Sequence, residues 1–209
     1  KQPTAIKVFA AVVGFLTMIV TIIIFSLYDY NVGGYQFINS YRWLEDPLNI
    51  DLSLGIDGIS APMVLLTGII MFAGILVAWN IEHRTKDFFV LFMFLVSGVF
   101  GVFVVRDLFF LFFFYELAVL PMFPLIGVWG SSSDFGSFAR TKEYGAMKLT
   151  LYLVAGSVLV WVAIIAVYVA AKDFGVPTFS LETLNAISQN GAFSQNFQRL
   201  FFPFFMVGF

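Results

Sequence analysis

Glu116 is the residue of this sequence whose position most clearly predicts chemistry, because it is a single carboxylate inside a long apolar run. It follows Asp107 by nine residues, or about 13 Å along a helix, which is near the middle of a bilayer if the run crosses one. A charge at that depth costs about 3 kcal/mol, so such residues are typically retained for ion or proton traffic. The alternative is a protonated glutamate that hydrogen-bonds a neighbouring helix.

Two prolines follow this carboxylate. Pro121 and Pro124 have no N–H and clash with the carbonyl four residues earlier, which predicts a kink and frees the carbonyls of Leu117 and Leu120. Freed carbonyls beside a carboxylate can hold the water that a proton wire needs. Proline kinks also occur in membrane helices for packing alone, and both interpretations stay open.

Lys148 is the second candidate, about one turn inside the next apolar block. A lysine there can extend its ammonium group to the membrane surface. It can also serve as a cationic partner or proton relay, because desolvation makes a lysine release its proton more readily and a nearby carboxylate holds that proton. The sequence leaves open whether Lys148 reaches Glu116.

Four further polar residues receive structural interpretations. Asp57 stands where a helix should start and is predicted to be its N-cap, with a functional role as the less favoured alternative. Arg106 and Asp107 are predicted to close a short helical hairpin as an interfacial ion pair. His83 is the only histidine and lies in a charged stretch, which predicts an exposed loop rather than a metal site.

The composition indicates whether these elements are surrounded by water or by lipid. Of the residues, 60% are apolar and 11% are charged, and 28 of the 209 are Phe, which is outside the range of soluble domains. Apolar blocks of 18 or more residues indicate membrane-spanning helices. Cysteine is absent, which excludes disulfides and thiolate metal sites, and no basic stripe with interleaved aromatics points to nucleic acid.

The predicted fold class is an all-α integral membrane protein, an antiparallel transmembrane helix bundle in a single domain over residues 1–209. Polar connections are expected at residues 29–51 and 172–199. The last apolar block is about half as long as a span requires, so we expect the chain to end inside a sixth helix. The predicted helices are approximately 5–28, 57–79, 88–105, 108–129, 144–171 and a truncated 200–209.

Basic residues at alternate connections predict the orientation. The N-terminus and the connections at residues 82–87 and 131–143 are expected on the cytoplasmic or matrix side. That side carries Lys1, Lys7, Arg84, Lys86, Arg140, Lys142 and Lys148, whereas the other carries Arg42, Arg106, Lys172 and Arg199.

Three stretches are similar to a known family. LGIDGIS at residues 54–60, FFYELAVLPMFPLIGVWG at 113–130 and AMKLTLYLVAGS at 146–157 resemble the antiporter-like subunit M of bacterial respiratory complex I, the counterpart of mitochondrial chain 4. The likeness follows the whole sequence in order. The glutamate with its Leu-Pro-Met continuation is the most specific part, since subunit L and the sodium/proton antiporter subunits usually lack that continuation.

The resemblance implies a fold and a role. The full subunit would have about fourteen helices in two inverted repeats, with this sequence as helices two to six and the start of the seventh. The glutamate matching Glu116 would be the acid of the proton channel, working with a lysine on the broken seventh helix, beyond Phe209. This part would thus be a non-redox, proton-translocating subunit of NADH:quinone oxidoreductase.

That role carries further expectations. No cofactor is expected in this chain, which has no cysteine cluster, nucleotide loop or haem ligand pair. The expected partners are the other membrane-arm subunits, including homologous antiporter-like ones, and the lipid bilayer of a bacterial plasma membrane or its organelle equivalent. Two alternatives stay open: a cation/proton antiporter or membrane-bound hydrogenase subunit of the same fold, and a structural assembly subunit, which would not need a midplane acid.

Overall fold

The computed structural model describes residues 2–44, 50–134 and 139–208, and most of this backbone is helical. Five helical segments in these ranges are long and apolar enough to cross a membrane, which confirms the predicted transmembrane helix bundle. In chain order the elements are α1 (Gln2–Leu27), β1 (Gln36–Leu44), β2 (Ile50–Ile56), α2 (Ser60–Val77) with a 3₁₀ turn (Ala78–Asn80), α3 (Thr85–Val104), α4 (Leu108–Val119), α5 (Met122–Trp129), β3 (Ser133–Asp134), β4 (Ala139–Arg140), α6 (Lys142–Asp173), α7 (Leu181–Gln189) and α8 (Gln195–Gly208).

The start of α2 shows why the helix boundaries differ by a few residues from the predicted ones. The Asp57 carboxylate accepts hydrogen bonds from the backbone N–H groups of Ile59 (3.1 Å) and Ser60 (2.6 Å), so the predicted capping role is confirmed. These residues form a turn, and the helix proper begins at Ser60 instead of Asp57. Similarly, Thr141 caps α6, whose polar first turn lies ahead of the apolar block.

The connection predicted as loop at residues 29–51 contains a β-strand, and this prediction was wrong. β1 and β2 form an antiparallel hairpin in which Arg42 lies opposite Asp51 and Gln36 opposite Ile56. Residues 45–49 lie outside the described ranges. The pattern Ile50, Leu52, Leu54, Ile56 alternates apolar and other residues, which is the period of a strand.

The second polar connection also contains regular structure. Nine of its residues form the amphipathic helix α7, with Leu184 and Ile187 buried. Helix α8 begins at Gln195, before the apolar block predicted to start at Leu200, because Ser194 accepts a hydrogen bond from the Phe197 N–H (3.2 Å). A polar first turn is compatible with a helix that starts at the membrane surface.

Glycines set the closest helix contacts. A methyl group added at Gly98 on α3 would lie 2.5 Å from the backbone nitrogen of Ala118 on α4, and one added at Gly101 would overlap the ring of Phe114. Gly156 on α6 is similarly close to α8, since a methyl group added there would lie 2.8 Å from the Gly208 carbonyl oxygen. Small residues let membrane helices approach closely, and these contacts fix α4 against α3 and α8 against α6.

The connections alternate between two ends of the bundle, which we name by their contents. The hairpin end carries β1, β2, the α3–α4 turn and α7, because Arg106 donates its backbone N–H to Ser53 and its carbonyl accepts from Leu181. The N-terminal end carries the chain start and the other connections, where the Trp129 indole donates to the His83 carbonyl (2.9 Å). The predicted grouping of loops is therefore confirmed, while the compartment each end faces stays a prediction.

Candidate functional site

Glu116 lies in the third turn of α4, about 12 Å from the first residue of its span at 1.5 Å per residue. Its side chain is half-buried. One carboxylate oxygen, Oε1, is fully buried and has no hydrogen-bond partner among the described residues. A buried acceptor without a donor is costly, so this oxygen is a position where a hydrogen-bond donor such as a water molecule would be stabilising.

Contacts on the same side of α4 show which helix Glu116 faces. The rings of Phe109 and Phe112 lie 6.0 and 4.8 Å from that of Trp161 on α6. Glu116 follows Phe112 by four residues and Phe109 by seven, so helical periodicity places it on this same face. Glu116 therefore points toward α6.

Ser157 is the polar residue of α6 at the corresponding level. Ser157 precedes Trp161 by four residues, just as Glu116 follows Phe112 by four. Because α4 and α6 run in opposite directions, Ser157 and Glu116 both lie one turn from the Phe112–Trp161 contact, on the same side of it. The side chain is buried, and its hydroxyl donates to the carbonyls of Leu153 and Val154, both at 3.1 Å. The hydroxyl proton is thus committed to the helix backbone, and the oxygen keeps a lone pair that can accept a further hydrogen bond.

Sequence reasoning did not single out Ser157 as a functional candidate. The signal was available, since a serine in an otherwise apolar stretch of a membrane helix is a polar group that must find partners. The sequence alone does not show which helix Ser157 faces. The Phe112–Trp161 contact shows that it is α4.

The helix is interrupted about one turn after Glu116, at the position where the prolines predict a kink. Helix α4 ends at Val119 and α5 begins at Met122, so the span is divided at Leu120 and Pro121. The Glu116 carbonyl still accepts from the Leu120 N–H (2.9 Å). The Leu117 carbonyl loses its partner four residues on, because that residue is Pro121.

Lys148 is exposed and is not brought together with Glu116. Its ammonium nitrogen lies 6.0 and 5.9 Å from the ring centres of Tyr144 and Tyr152, at the outer limit of a cation–π contact. Lys148 precedes Ser157 by nine residues, which is half a rotation around α6, so it projects from the side opposite to the one that faces Glu116. In the described ranges no carboxylate forms an ion pair with it.

Arg106 and Asp107 do not pair with each other, contrary to the prediction. The buried Arg106 guanidinium forms an ion pair with Glu182 of α7 and lies 4.4 Å from the centre of the Tyr35 ring. The Asp107 carboxylate instead caps α4, accepting from the N–H groups of Phe109 (2.8 Å) and Phe110 (3.2 Å). Adjacent side chains here point to different neighbours, because the turn is enclosed by other elements.

The pKa values of the two capping carboxylates, Asp107 and Asp57, are shifted in opposite directions. Burial raises the pKa of Asp107 from 3.8 to about 6, against the effect of its two backbone hydrogen bonds, and Asp51 adds to the rise. For Asp57 burial also acts upward, but the hydrogen bonds from Ser60 and Ile59 outweigh it and hold the pKa below its ordinary value. Across the ranges that the structure describes, no group of three or more His, Cys, Asp or Glu could hold a metal.

Comparisons with known proteins agree on a family. A family model described as "NADH:quinone oxidoreductase/Mrp antiporter, TM" matches residues 105–209. A chain 4 of NAD(P)H-quinone oxidoreductase from Synechococcus elongatus is 30% identical over 99% of this chain and 36% of its own length. Subunit M of NADH-quinone oxidoreductase from Rhodobacter capsulatus is 34% identical over 78% of this chain and 30% of its own. The chain thus spans about a third of the length of these relatives.

Solved structures show the same fold. A chain of the archaeal membrane-bound sulfane sulfur reductase superposes with a TM-score of 0.75 and 19% identity, over 97% of this chain and 38% of that one. A chain of respiratory complex I from Thermus thermophilus with bound NADH gives a TM-score of 0.71 and 23% identity, over 86% of this chain and 34% of that one. At these identities the similarity supports the fold alone.

Proposed function

This chain belongs to the NADH:quinone oxidoreductase/Mrp antiporter transmembrane family, and from that premise we propose that it is part of a proton-translocating membrane subunit of an NADH:quinone oxidoreductase. In this proposal other subunits oxidise NADH and reduce quinone. The relatives named as chain 4 and subunit M of such oxidoreductases support this assignment. The proposed neighbours are the other membrane-arm subunits, including homologous antiporter-like ones.

The unpartnered Oε1 of Glu116 is the observation that carries the proposal. A carboxylate at this depth is stabilised when it takes up a proton, because the neutral acid costs much less in the membrane interior. The acid can then donate its O–H to a water molecule beside the freed Leu117 carbonyl, and that water carries the proton to the next proton acceptor along the channel. Glu116 thereby alternates between charged and neutral forms without any covalent change.

The proposal assigns no electron transfer to this part of the protein. Its sequence has no cysteine, so it offers no thiolate for an iron–sulfur cluster. Its single histidine, His83, is exposed at the N-terminal end of the bundle. The residues that remain suited to proton transfer are carboxylates, lysines and hydroxyls, and Glu116 is the one carboxylate deep inside a described span.

Substitution of Glu116 tests the proposal. In the assembled complex, Glu116→Gln should lower both quinone reductase activity and NADH-driven proton uptake by about tenfold or more, because the amide keeps the shape but carries no exchangeable acid proton. Glu116→Asp should be partly active, since it retains the carboxyl group. The measurements are NADH oxidation rate and the quenching of a pH-sensitive dye in membrane vesicles.

The matched control is Glu143→Gln, the same chemical change at an exposed glutamate in the first turn of α6. It should leave both rates near those of the unmodified complex. Subunit levels are measured first, so that loss of assembly is separated from loss of proton transfer. Normal pumping in assembled Glu116→Gln complex would refute the proton role and favour a structural subunit.

A second function is favoured by the family description, which also names Mrp antiporters. In that case the subunit would exchange a cation for protons without NADH. Vesicles containing the complex would then acidify or alkalinise in response to a sodium gradient alone, and Glu116→Gln would abolish that response. Proton movement that requires NADH and does not depend on a sodium gradient would support the oxidoreductase assignment.

A further inference from the structure

An apolar groove runs along the outside of the bundle between α1 and α3. It has a volume of 390 Å³, within the range of about 300–1,000 Å³ typical of ligand sites. Each helix contributes one face at helical spacing. The lining residues are Ile6, Phe9, Ala10 and Val13 from α1, and Lys86, Phe89, Val90, Met93, Phe94 and Ser97 from α3.

The groove has a buried floor and an open rim. Ala10 and Phe89 form its floor and are each 3% exposed. Phe9, Val90 and Phe94 stand along its sides and are 71%, 46% and 52% exposed. In the part of the chain that the structure describes, this opening faces outward from two membrane-spanning helices, on the side where lipid would lie.

The length of the groove matches one leaflet of a bilayer. From Lys86 to Ser97 there are eleven residues, or about 16 Å along α3 at 1.5 Å per residue. Half of a hydrocarbon core is about 15 Å thick. An acyl chain that enters at the N-terminal end of the bundle would therefore reach the end of the groove at the bilayer midplane.

A basic residue stands at the mouth of the groove. Lys86 is exposed and has no ion-pair partner among the residues described here, whereas its neighbour Arg84 is neutralised by Asp87 at 2.8 Å. Lys7, beside Ile6 on α1, is a second basic residue at this end, and the nearby acid Glu82 is exposed on the connection before α3. An uncompensated ammonium at the membrane surface attracts an anionic headgroup.

We propose that this α1–α3 groove binds a phospholipid with an anionic headgroup, with one acyl chain in the groove and the phosphate at Lys86. The site lies on α1 and α3, not on the α4–α6 face that carries Glu116, so it is independent of the proton-transfer assignment. The occupant is a lipid of the leaflet at the N-terminal end of the bundle. Its headgroup is selected by charge, and its chain by the apolar lining.

Photolabelling of the full-length protein in its assembled complex tests the site. The complex is placed in phosphatidylethanolamine nanodiscs with a small share of phosphatidylglycerol that carries a photoreactive acyl chain. Labelled peptides from α1 and α3 are then measured by mass spectrometry. Lys86→Ala should lower labelling of the groove about fivefold, and Val90→Trp should lower it by filling the groove from its rim.

Two control variants make the same changes elsewhere. Lys172→Ala removes an exposed lysine at the hairpin end, and Val12→Trp enlarges an exposed residue of α1 that does not line the groove; both should label normally. Equal labelling by a zwitterionic phosphatidylcholine probe, or unchanged labelling in both groove variants, would overturn the proposal.

A second measurement identifies any competing occupant. Benzoylphenylalanine in place of Phe94 should cross-link to lipid on illumination of the complex. Cross-linking to another subunit, or to a different segment of the same protein, would show that protein covers the groove and would overturn the proposal.

Discussion

At the scale of single residues, Glu116 and Lys148 differ in what surrounds their charged groups. The Glu116 oxygen Oε1 is enclosed and lacks a donor among the described residues, whereas the Lys148 side chain is exposed beside two tyrosine rings on its own helix. A change in the charge of an enclosed group alters the interactions with the protein atoms around it, whereas an exposed group exchanges protons with water at the surface. The two residues are therefore expected to respond differently to substitution.

We expect Lys148→Ala to leave quinone reductase activity and proton pumping near normal, and to affect both less than Glu116→Gln does. An exposed lysine that reaches the membrane surface contributes mainly anchoring. Turnover against pH in both variants provides the measurement, with subunit levels checked first. A larger defect in assembled Lys148→Ala complex, with an altered pH profile, would instead identify Lys148 as a relay.

Asp107 predicts a pH dependence of stability. Its pKa of about 6 in the folded protein lies above the ordinary 3.8, so the folded state binds this proton more tightly than the unfolded state does. The contribution of Asp107 to stability should fall as pH rises from about 4 to about 6, and level off above that range. Thermal unfolding of the purified protein across this range measures the effect.

Asp107→Asn isolates this contribution, because the amide oxygen can still cap α4 but does not titrate. The variant should lose the part of the pH dependence that Asp107 supplies, whereas Asp173→Asn, an exposed aspartate at the end of α6, should not. Identical pH profiles for Asp107→Asn and the unmodified protein would contradict the assignment.

The sequence located these residues but not their partners. The depth of Glu116 and the cap at Asp57 follow from local spacing, which is why they could be predicted. The pairing of Arg106 depends on Glu182, which is 76 residues away in the chain. No local pattern encodes that contact, so sequence spacing favoured the adjacent Asp107 instead.

At the scale of elements, close packing of α3 against α4 determines the position of the span that α4 and α5 form. Gly98 allows the α4 backbone to approach at Ala118, two residues after Glu116. The division of the span at Leu120 and Pro121 follows directly from proline chemistry and was predictable. The approach at Gly98 was not, because it needs a partner helix whose position the sequence does not state.

Gly98→Ala should therefore shift α4 or destabilise the bundle by about 1–3 kcal/mol, because the added methyl group meets backbone atoms and not a flexible side chain. Proton pumping should fall with it, since the shift occurs next to Glu116. Gly145→Ala is the matched control: no described atom lies within 4 Å of the added methyl group. Unfolding temperature and pumping are measured for both, and equal results would argue against close packing.

The strands were missed for a different reason. The polar stretch before Ile50 carries turn residues, and the alternation in β2 is only seven residues long. An alternation this short is a weak signal beside long apolar blocks, and for this reason residues 29–51 were predicted to be a loop. Its assignment as β2 depends on pairing with β1 and on the bridge between Leu54 and Val105.

At the scale of the whole molecule, the α3–α4 turn joins three separate parts of the chain. Its backbone bonds to β2 through Ser53 and to the segment before α7 through Phe179. The Arg106 side chain adds the ion pair to Glu182 and the contact with Tyr35. The hairpin end is therefore held together by contacts between parts of the chain that are far apart in the sequence.

Glu182→Gln should lower the free energy of unfolding by about 1–3 kcal/mol, because it removes the negative charge that pairs with a buried guanidinium and leaves only a neutral amide acceptor. The value should lie toward the lower limit, since 74% of the Glu182 side chain is exposed and water can replace part of the interaction. Denaturant unfolding of the purified protein measures the change. Glu143→Gln serves as the control, and equal stability of the two variants would contradict a structural role for the ion pair.

The position of Glu182 late in the chain has a consequence for biosynthesis. Arg106 emerges 76 residues before its partner, which at 5–20 residues per second is an interval of about 4–15 s. Helix α3 precedes Arg106 and α4 follows it directly, so both are made long before Glu182, and until then the guanidinium between them has no Glu182 carboxylate to neutralise it. The nascent hairpin must therefore keep this turn at the membrane surface until α7 arrives, so final docking of the hairpin end comes after insertion of α6.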